Sequence, residues 1–156
     1  MKTIRLKNYD YSSNGMYFIT ICSEKKRCIF GNIVGQGLCS CQLSETGKII
    51  KEEIESLSQR YSEIKIENFI IMPNHVHILL TLERQEQSPC PTISEAICSF
   101  KSITTKRANL QDNVKGRKIW QRSFYDHIVR NQTDYEQIWQ YIEYNVAKWN
   151  EDKYFI

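Results

Sequence analysis

The stretch Lys65-Ile66-Glu67-Asn68-Phe69-Ile70-Ile71-Met72-Pro73-Asn74-His75-Val76-His77-Ile78-Leu79-Leu80-Thr81-Leu82 decides the fold. Two strand-like runs, Lys65–Met72 and His75–Leu82, are separated only by Pro73-Asn74, a hairpin or near-hairpin signal. Upstream, Thr46–Arg60 reads as a helix, because Ile50, Ile54, Leu57 and Tyr61 fall on one face. Before it, Met16–Cys22 is a β-branched and aromatic strand bounded by the turn Ser12-Ser13-Asn14-Gly15. A short extended piece is expected near Cys28–Val34, and residues 1–14 read as an irregular lead-in.

Downstream, Glu83–Pro91 is a polar loop. Thr92-Ile93-Ser94-Glu95 is a capping box that opens a helix with Ile93, Ala96, Ile97, Phe100 and Ile103 facing inward. A basic loop, 110–118, follows, and Lys118–Val129 is expected to be extended. A second capping box, Thr133-Asp134-Tyr135-Glu136, is expected to open a last helix running to about Asn150. The order β, (β), α, β, β, α, β, α fits an α+β fold of the ferredoxin-like sort. Its antiparallel sheet would carry helices on one face, with the C-terminal helix in addition. The 156 residues suit a single domain, 1–156.

The composition, 41% hydrophobic and 25% charged, is that of an ordinary globular chain. No apolar run approaches the roughly 18 residues of a membrane span, and no hydrophobic segment follows Met1–Lys7. The expectation is a cytoplasmic protein with no membrane association. Six cysteines (Cys22, Cys28, Cys39, Cys41, Cys90, Cys98) include no Cys-x-x-Cys pair and read as reduced thiols, mostly core fillers. The net charge is only +3, but Lys101–Arg130 holds eight basic residues against Asp112 and Asp126. That excess suits a polyanion, although a solvated basic face explains the charge equally well.

His75 and His77 are two apart on a strand and so share a face, while Val76 packs on the other. Neighbouring imidazoles suit a divalent metal, although such a pair taken alone more commonly marks a half-exposed strand face. The last helix supplies the second feature. Ile138, Ile142, Val146 and Trp149 mark its buried stripe. At about 100° per residue, Tyr141 and Asn145 lie together on the flank of that stripe, one turn apart. Tyr144 lies about 200° from Ile142, on the far side. Tyr141 is thus the better candidate nucleophile, Asn145 a neutral oxygen ligand, and Tyr144 the alternative phenol. A phenol with a pKa of about 10 is a poor nucleophile at neutral pH, and a nearby metal can polarise the phosphate it attacks. The products are a phosphotyrosine and a 3′ hydroxyl, the chemistry of strand transfer.

The segment Met72-Pro73-Asn74-His75-Val76-His77 resembles the metal-binding segment of the HUH single-tyrosine transposases. Trp120–Arg130, the lead-in Arg5–Tyr11 and the strand Tyr17–Cys22 resemble one branch, the REP-associated tyrosine transposases. The likeness implies a ferredoxin-like fold and cleavage of single-stranded DNA, dependent on Mg²⁺ or Mn²⁺, through a 5′-phosphotyrosine. By position His75 and His77 match the paired ligands, Tyr141 the nucleophile and Asn145 the polar ligand. The family often has Asn-Pro where this chain has Asn145-Val146, which suggests that the helix continues towards Trp149. Lys101, Lys106, Arg122 and Arg130 are candidates for phosphate contacts, and Trp120 for stacking on a base. His127 reads as a structural hydrogen-bonding residue, with DNA contact or alternate ligation as the other reading. The expected partner is single-stranded or hairpin DNA, and a homodimer is left open. The competing functions are a hairpin-binding protein that no longer cuts and a metal phosphohydrolase in which water attacks.

Overall fold

The computed structural model describes residues 14–34, 40–84 and 91–151. The lead-in, Cys39, and most of the expected 83–91 loop, including Cys90, lie outside them. In chain order the elements are β1 Gly15–Cys22, β2 Gly31–Val34, β3 Ser40–Leu43, α1 Glu45–Arg60, β4 Ile64–Met72, β5 His75–Leu82, α2 Ile93–Gln111, β6 Tyr125–Val129 and α3 Gln132–Tyr144. Short 3₁₀ turns occupy Glu24–Lys26 and Trp149–Glu151.

The main sheet has the order β4-β5-β1-β6, with every neighbouring pair antiparallel. Each helical crossover skips one strand, which is the split β-α-β arrangement of a ferredoxin-like fold. The hairpin expected at Pro73-Asn74 is present, with Met72 paired to His75 across the two-residue turn. β2 and β3 form a separate two-stranded ribbon. β3 escaped the sequence reading because four residues of mixed polarity carry no distinctive period.

Strand alternation divides the sheet into two faces. Tyr17, Ile19 and Ile21 of β1 and Val76, Ile78, Leu80 and Leu82 of β5 pack beneath α1 and α2. Phe18, Leu79 and Ile70 pack against Ile138 and Ile142 of α3 on the opposite face. β4 keeps to this scheme through a bulge between Ile66 and Asn68. The extra residue shifts the alternation, so that Ile64 and Ile66 before it and Phe69 and Ile71 after it reach the same core.

α1 begins at Ser44, whose hydroxyl accepts from the Gly47 amide at 3.0 Å. The expected inner face is observed: Ile50, Ile54 and Leu57 are buried, and Tyr61 caps the end. α1 and α2 are also joined by charge. Glu53 is buried and accepts from Arg60 at 2.9 Å and Arg107 at 2.8 Å. Burial alone would raise the Glu53 pKa, but the two guanidiniums outweigh it and hold the carboxyl below its ordinary value. α2 starts with the expected capping box, Thr92 accepting from Glu95 N and Glu95 from Thr92 N.

Several expectations are corrected. α3 is capped by Asn131, whose side chain accepts from Asp134 N at 2.8 Å, so the Thr133 box does not open it. The α-helix ends at Tyr144 rather than near Asn150. There i−3 bonds enter, with Asn145 N donating to Ile142 O and Trp149 N to Val146 O, beside one i−4 bond from Lys148 N to Tyr144 O. Of Lys118–Val129, only Tyr125–Val129 is a strand, and Trp120 makes one isolated bridge to Ser23. Among the described cysteines Cys22 is buried, whereas Cys28 and Cys98 are exposed and do not fill the core. Burial pushes the half-buried Cys41 thiol up to about 11, which disfavours the reactive thiolate. Among the described residues no helix is long and apolar enough to cross a membrane.

Gly47 lies in the first turn of α1 against the β2 entry, and a Cβ there would overlap the Phe30 carbonyl oxygen. Gly47→Ala should therefore lower unfolding stability by about 1–3 kcal/mol, even though alanine is the better helix former. A chemical denaturation curve checks this, and an unchanged midpoint would contradict the close approach.

Candidate functional site

The face of the sheet under α3 carries the polar cluster. The β1–β5 register pairs Cys22 with His75 and Thr20 with His77. Both imidazoles are therefore on the α3 face, as the His-x-His spacing requires. They are buried, with ring centroids 4.7 Å apart and planes at 74°. Each ring is held through Nδ1. His75 Nδ1 lies 2.8 Å from Asn74 Oδ1, and His77 Nδ1 lies 2.8 Å from Thr20 Oγ1. Phe18 stacks on the His77 ring at 5.1 Å. Hydrogen bonds of this kind orient a histidine so that its other nitrogen, Nε2, serves as the ligating atom. Both Nε2 atoms are buried.

α3 brings the phenol to this pair within the same chain. The Tyr141 ring is 5.1 Å from that of His77 and edge-on to Phe18 at 6.1 Å. Tyr141 is 40% exposed, which suits a group between the sheet and an incoming substrate. Tyr144 is 61% exposed on the outer side of the helix. Asn145, where α3 ends, is buried, and so is its Oδ1. The tightened turn after it places the Trp149 ring 6.0 Å from His75, nearly parallel. A cavity of about 410 Å³ runs along the outer flank and is lined by Gln140, Tyr141, Tyr144, Asn145 and Lys148 among others.

Two imidazoles and an amide oxygen are chemically suited to a divalent cation. Among the described residues no group of three or more His, Cys, Asp or Glu is placed to hold a metal ion. Such a donor set is neutral, so a cation held by it would keep its charge for a phosphate.

The basic residues fall into two groups. Lys106, Arg122 and Arg130 are exposed. Lys101 is half-buried, and its ammonium donates to the carbonyls of Gln121 at 2.6 Å and Ser123 at 3.3 Å. Burial lowers its pKa. Its main task is to tie residues 121–123 to α2. The expectation that Trp120 stacks on a base meets a buried ring, packed on Phe30 and Phe100 with its Nε1 donating to Thr104 at 2.8 Å. An open groove of about 1230 Å³ lies between α2 and residues 114–122, with Lys106, Lys115, Lys118 and Arg122 on its walls. One of its lining residues, Gln121, donates its backbone N–H to the carbonyl of Cys22, the strand partner of His75.

His127 stands on β6 and bonds Asp134 of α3, with Nε2 2.8 Å from Oδ2. This is the structural pairing weighed from the sequence, and it fixes the start of the helix that carries Tyr141. Thr20, Asn74 and Trp149 were not singled out as site residues. Thr20 could not have been, since only the register brings it to His77. Asn74 adjoins His75 in the quoted segment and was open to notice.

A fold of this kind is found in transposases. The model of the IS200-like transposase family matches residues 13–145, and the chain belongs to that family. A Haemophilus influenzae protein of uncharacterised activity is 33% identical, with 99% of this chain and 93% of that protein covered. A second protein of the same organism, provisionally named a REP-associated tyrosine transposase, is 25% identical over 92% of this chain and 77% of its own length. The structure of a REP-associated tyrosine transposase bound to a REP hairpin has a TM-score of 0.59 at 19% identity. That alignment covers 95% of this chain and 74% of the other. A crystal structure from Deinococcus radiodurans, provisionally named a transposase, has a TM-score of 0.53 at 17% identity, covering 92% and 96%. These two likenesses are of fold. The family resemblance read from the sequence is borne out, and with it a transposase-like DNA function.

Asp134 gives a prediction in pH. Burial alone would raise its pKa, but hydrogen bonds from His127 and the Arg130 amide hold it below the ordinary value. A depressed carboxyl contributes its stability fully above the unfolded pKa and loses it as pH falls through the lower folded value. Below roughly pH 4, wild-type stability should therefore fall more steeply than that of Asp134→Asn. Parallel acid titrations of unfolding stability measure this; superimposable acid limbs would show that the pair does not anchor α3.

Proposed function

We propose that the chain cuts and rejoins single-stranded DNA by transient attachment to Tyr141. The observation that carries this reading is the Tyr141 ring 5.1 Å from His77 within one chain. The Tyr141 oxygen attacks the scissile phosphorus, and the bond from phosphorus to the preceding 3′ oxygen breaks. The 3′ oxygen takes a proton, and the 5′ phosphate remains on the phenol. Attack by a 3′ hydroxyl on that linkage reverses the step or joins a different end. Nε2 of His75 and His77 and Oδ1 of Asn145 would hold Mg²⁺ or Mn²⁺. Such a cation would offset the negative charge of the phosphate. The remaining work belongs to the protein: Phe18 and Trp149 flank the imidazoles, and the half-exposed position of Tyr141 leaves it open to a strand.

The DNA, a single strand or a hairpin, would lie in the basic groove beside α2. Lys106, Lys118 and Arg122 face it there, Arg130 adds charge beyond it, and Lys101 and Trp120 shape its floor. The transposase of known structure that binds a REP hairpin supports this choice of partner by analogy.

A labelled single-stranded hairpin with Mn²⁺ tests the reading. Wild type should give a covalent adduct stable to denaturing electrophoresis, and Tyr141→Phe should give none. An adduct that survives in Tyr141→Phe but vanishes in Tyr144→Phe would move the role to Tyr144. Retarded but uncut DNA would identify a binding protein, and cut DNA without adduct a hydrolase using water.

On this reading Tyr141 serves the histidines of its own chain, its ring being 5.1 Å from that of His77. An equimolar mixture of His77→Ala and Tyr141→Phe should remain inactive; restored cleavage would require a tyrosine donated between subunits. Lys106→Ala and Arg122→Ala should each weaken binding across sequences. Each should also reduce the slope of log affinity against log salt by about 0.7.

A further inference from the structure

Asn74 occupies the second position of the β4–β5 turn and is fully buried. Its amide is used at both ends. Nδ2 donates to the Lys26 carbonyl at 3.2 Å, and Oδ1 faces His75 Nδ1 at 2.8 Å. An amide turned the other way would set Oδ1 against the Lys26 oxygen, two acceptors with no hydrogen between them. The Lys26 carbonyl therefore decides which end of the amide His75 meets. An amide oxygen has no hydrogen to give, so His75 must donate, and its hydrogen must be on Nδ1. The lone pair is then on Nε2, the nitrogen a metal needs.

The Lys26 carbonyl is itself held. Lys25 and Lys26 adopt φ of 57° and 53°, a left-handed region that residues with side chains seldom enter. The surroundings enforce it. Ser23 Oγ donates to Arg27 O, Arg27 donates to Lys118 O, and Glu24 N donates to Ile119 O. Ser23 N also donates to Asn74 O. The contrast with His77 is informative. Its Nδ1 partner is the Thr20 hydroxyl, which can donate or accept and imposes no tautomer.

We infer that Asn74, oriented by the carbonyl of the strained Lys25–Lys26 turn, is a positioning residue that locks His75 in the Nδ1–H tautomer and so presents Nε2 as the ligating nitrogen. Its consequence for metal binding rests on the function proposed above; its geometry does not.

Long-range ¹H–¹⁵N correlation of the histidine rings in the metal-free full chain tests it, with His75 assigned by loss of its signals in His75→Gln. Wild type should show the neutral His75 ring with its hydrogen on Nδ1. In Asn74→Leu the hydrogen should move towards Nε2, and Mn²⁺ affinity measured by calorimetry should fall about 10- to 100-fold. A wild-type ring protonated on Nε2 overturns the inference whatever the metal does. So does a folded Asn74→Leu with unchanged tautomer and affinity. If Asn74→Leu fails to fold, the wild-type tautomer decides alone, since it is read without any substitution at Asn74. A wild type with the expected tautomer that binds no Mn²⁺ upholds the positioning role and sinks only the metal reading.

Discussion

The antiparallel pairing of β1 with β5 is the constraint on which the site depends. With Cys22 opposite His75 and Thr20 opposite His77, the imidazoles share the α3 face with Phe18 and Leu79. A slip of one residue would send them into the α1–α2 core and turn Val76, Ile78 and Leu80 outward. Those aliphatic side chains are fully or almost fully buried, so the register is enforced by the apolar face rather than by the histidines. The chemistry depends on a register specified by packing on the other side of the sheet.

The opposite face is organised differently. α3 has only two buried apolar side chains, Ile138 and Ile142, against four in α1. Polar contacts supplement this dock at three places. Asn131 and the His127–Asp134 pair hold its start, and Glu143 accepts from Asn68 of β4 at 3.2 Å. Tyr141 is at the margin between these contacts and the cavity. The change to i−3 bonding at Asn145 then folds the chain back, with Asn145 buried and Trp149 over His75.

Burying so many polar groups together is costly unless they are paired and uncharged. Thr20, Asn74, His75, His77 and Asn145 are all buried, and each can remain neutral. Charges are placed elsewhere. Glu53 sits between Arg60 and Arg107 on the helical layer, and Lys101 bonds two carbonyls in the lining of the groove. A neutral polar pocket avoids the large desolvation penalty of a buried ion.

Local periodicity made much of this legible before the fold was known. The Pro73-Asn74 hairpin, the inner faces of α1 and α2, the shared face of His75 and His77 and the flank position of Tyr141 all follow from offsets of two, three or four residues. Such offsets are properties of a strand or helix by itself. The partner of His77, the orientation of Asn74, the burial of Trp120, the commitment of Lys101 and the end of α3 at Tyr144 are not of that kind. Each depends on a segment distant in the chain or on competing hydrogen bonds at an element's end, and those are decided by long-range packing. The sequence thus determined which side chains could share a face, and the tertiary structure decided which faces meet.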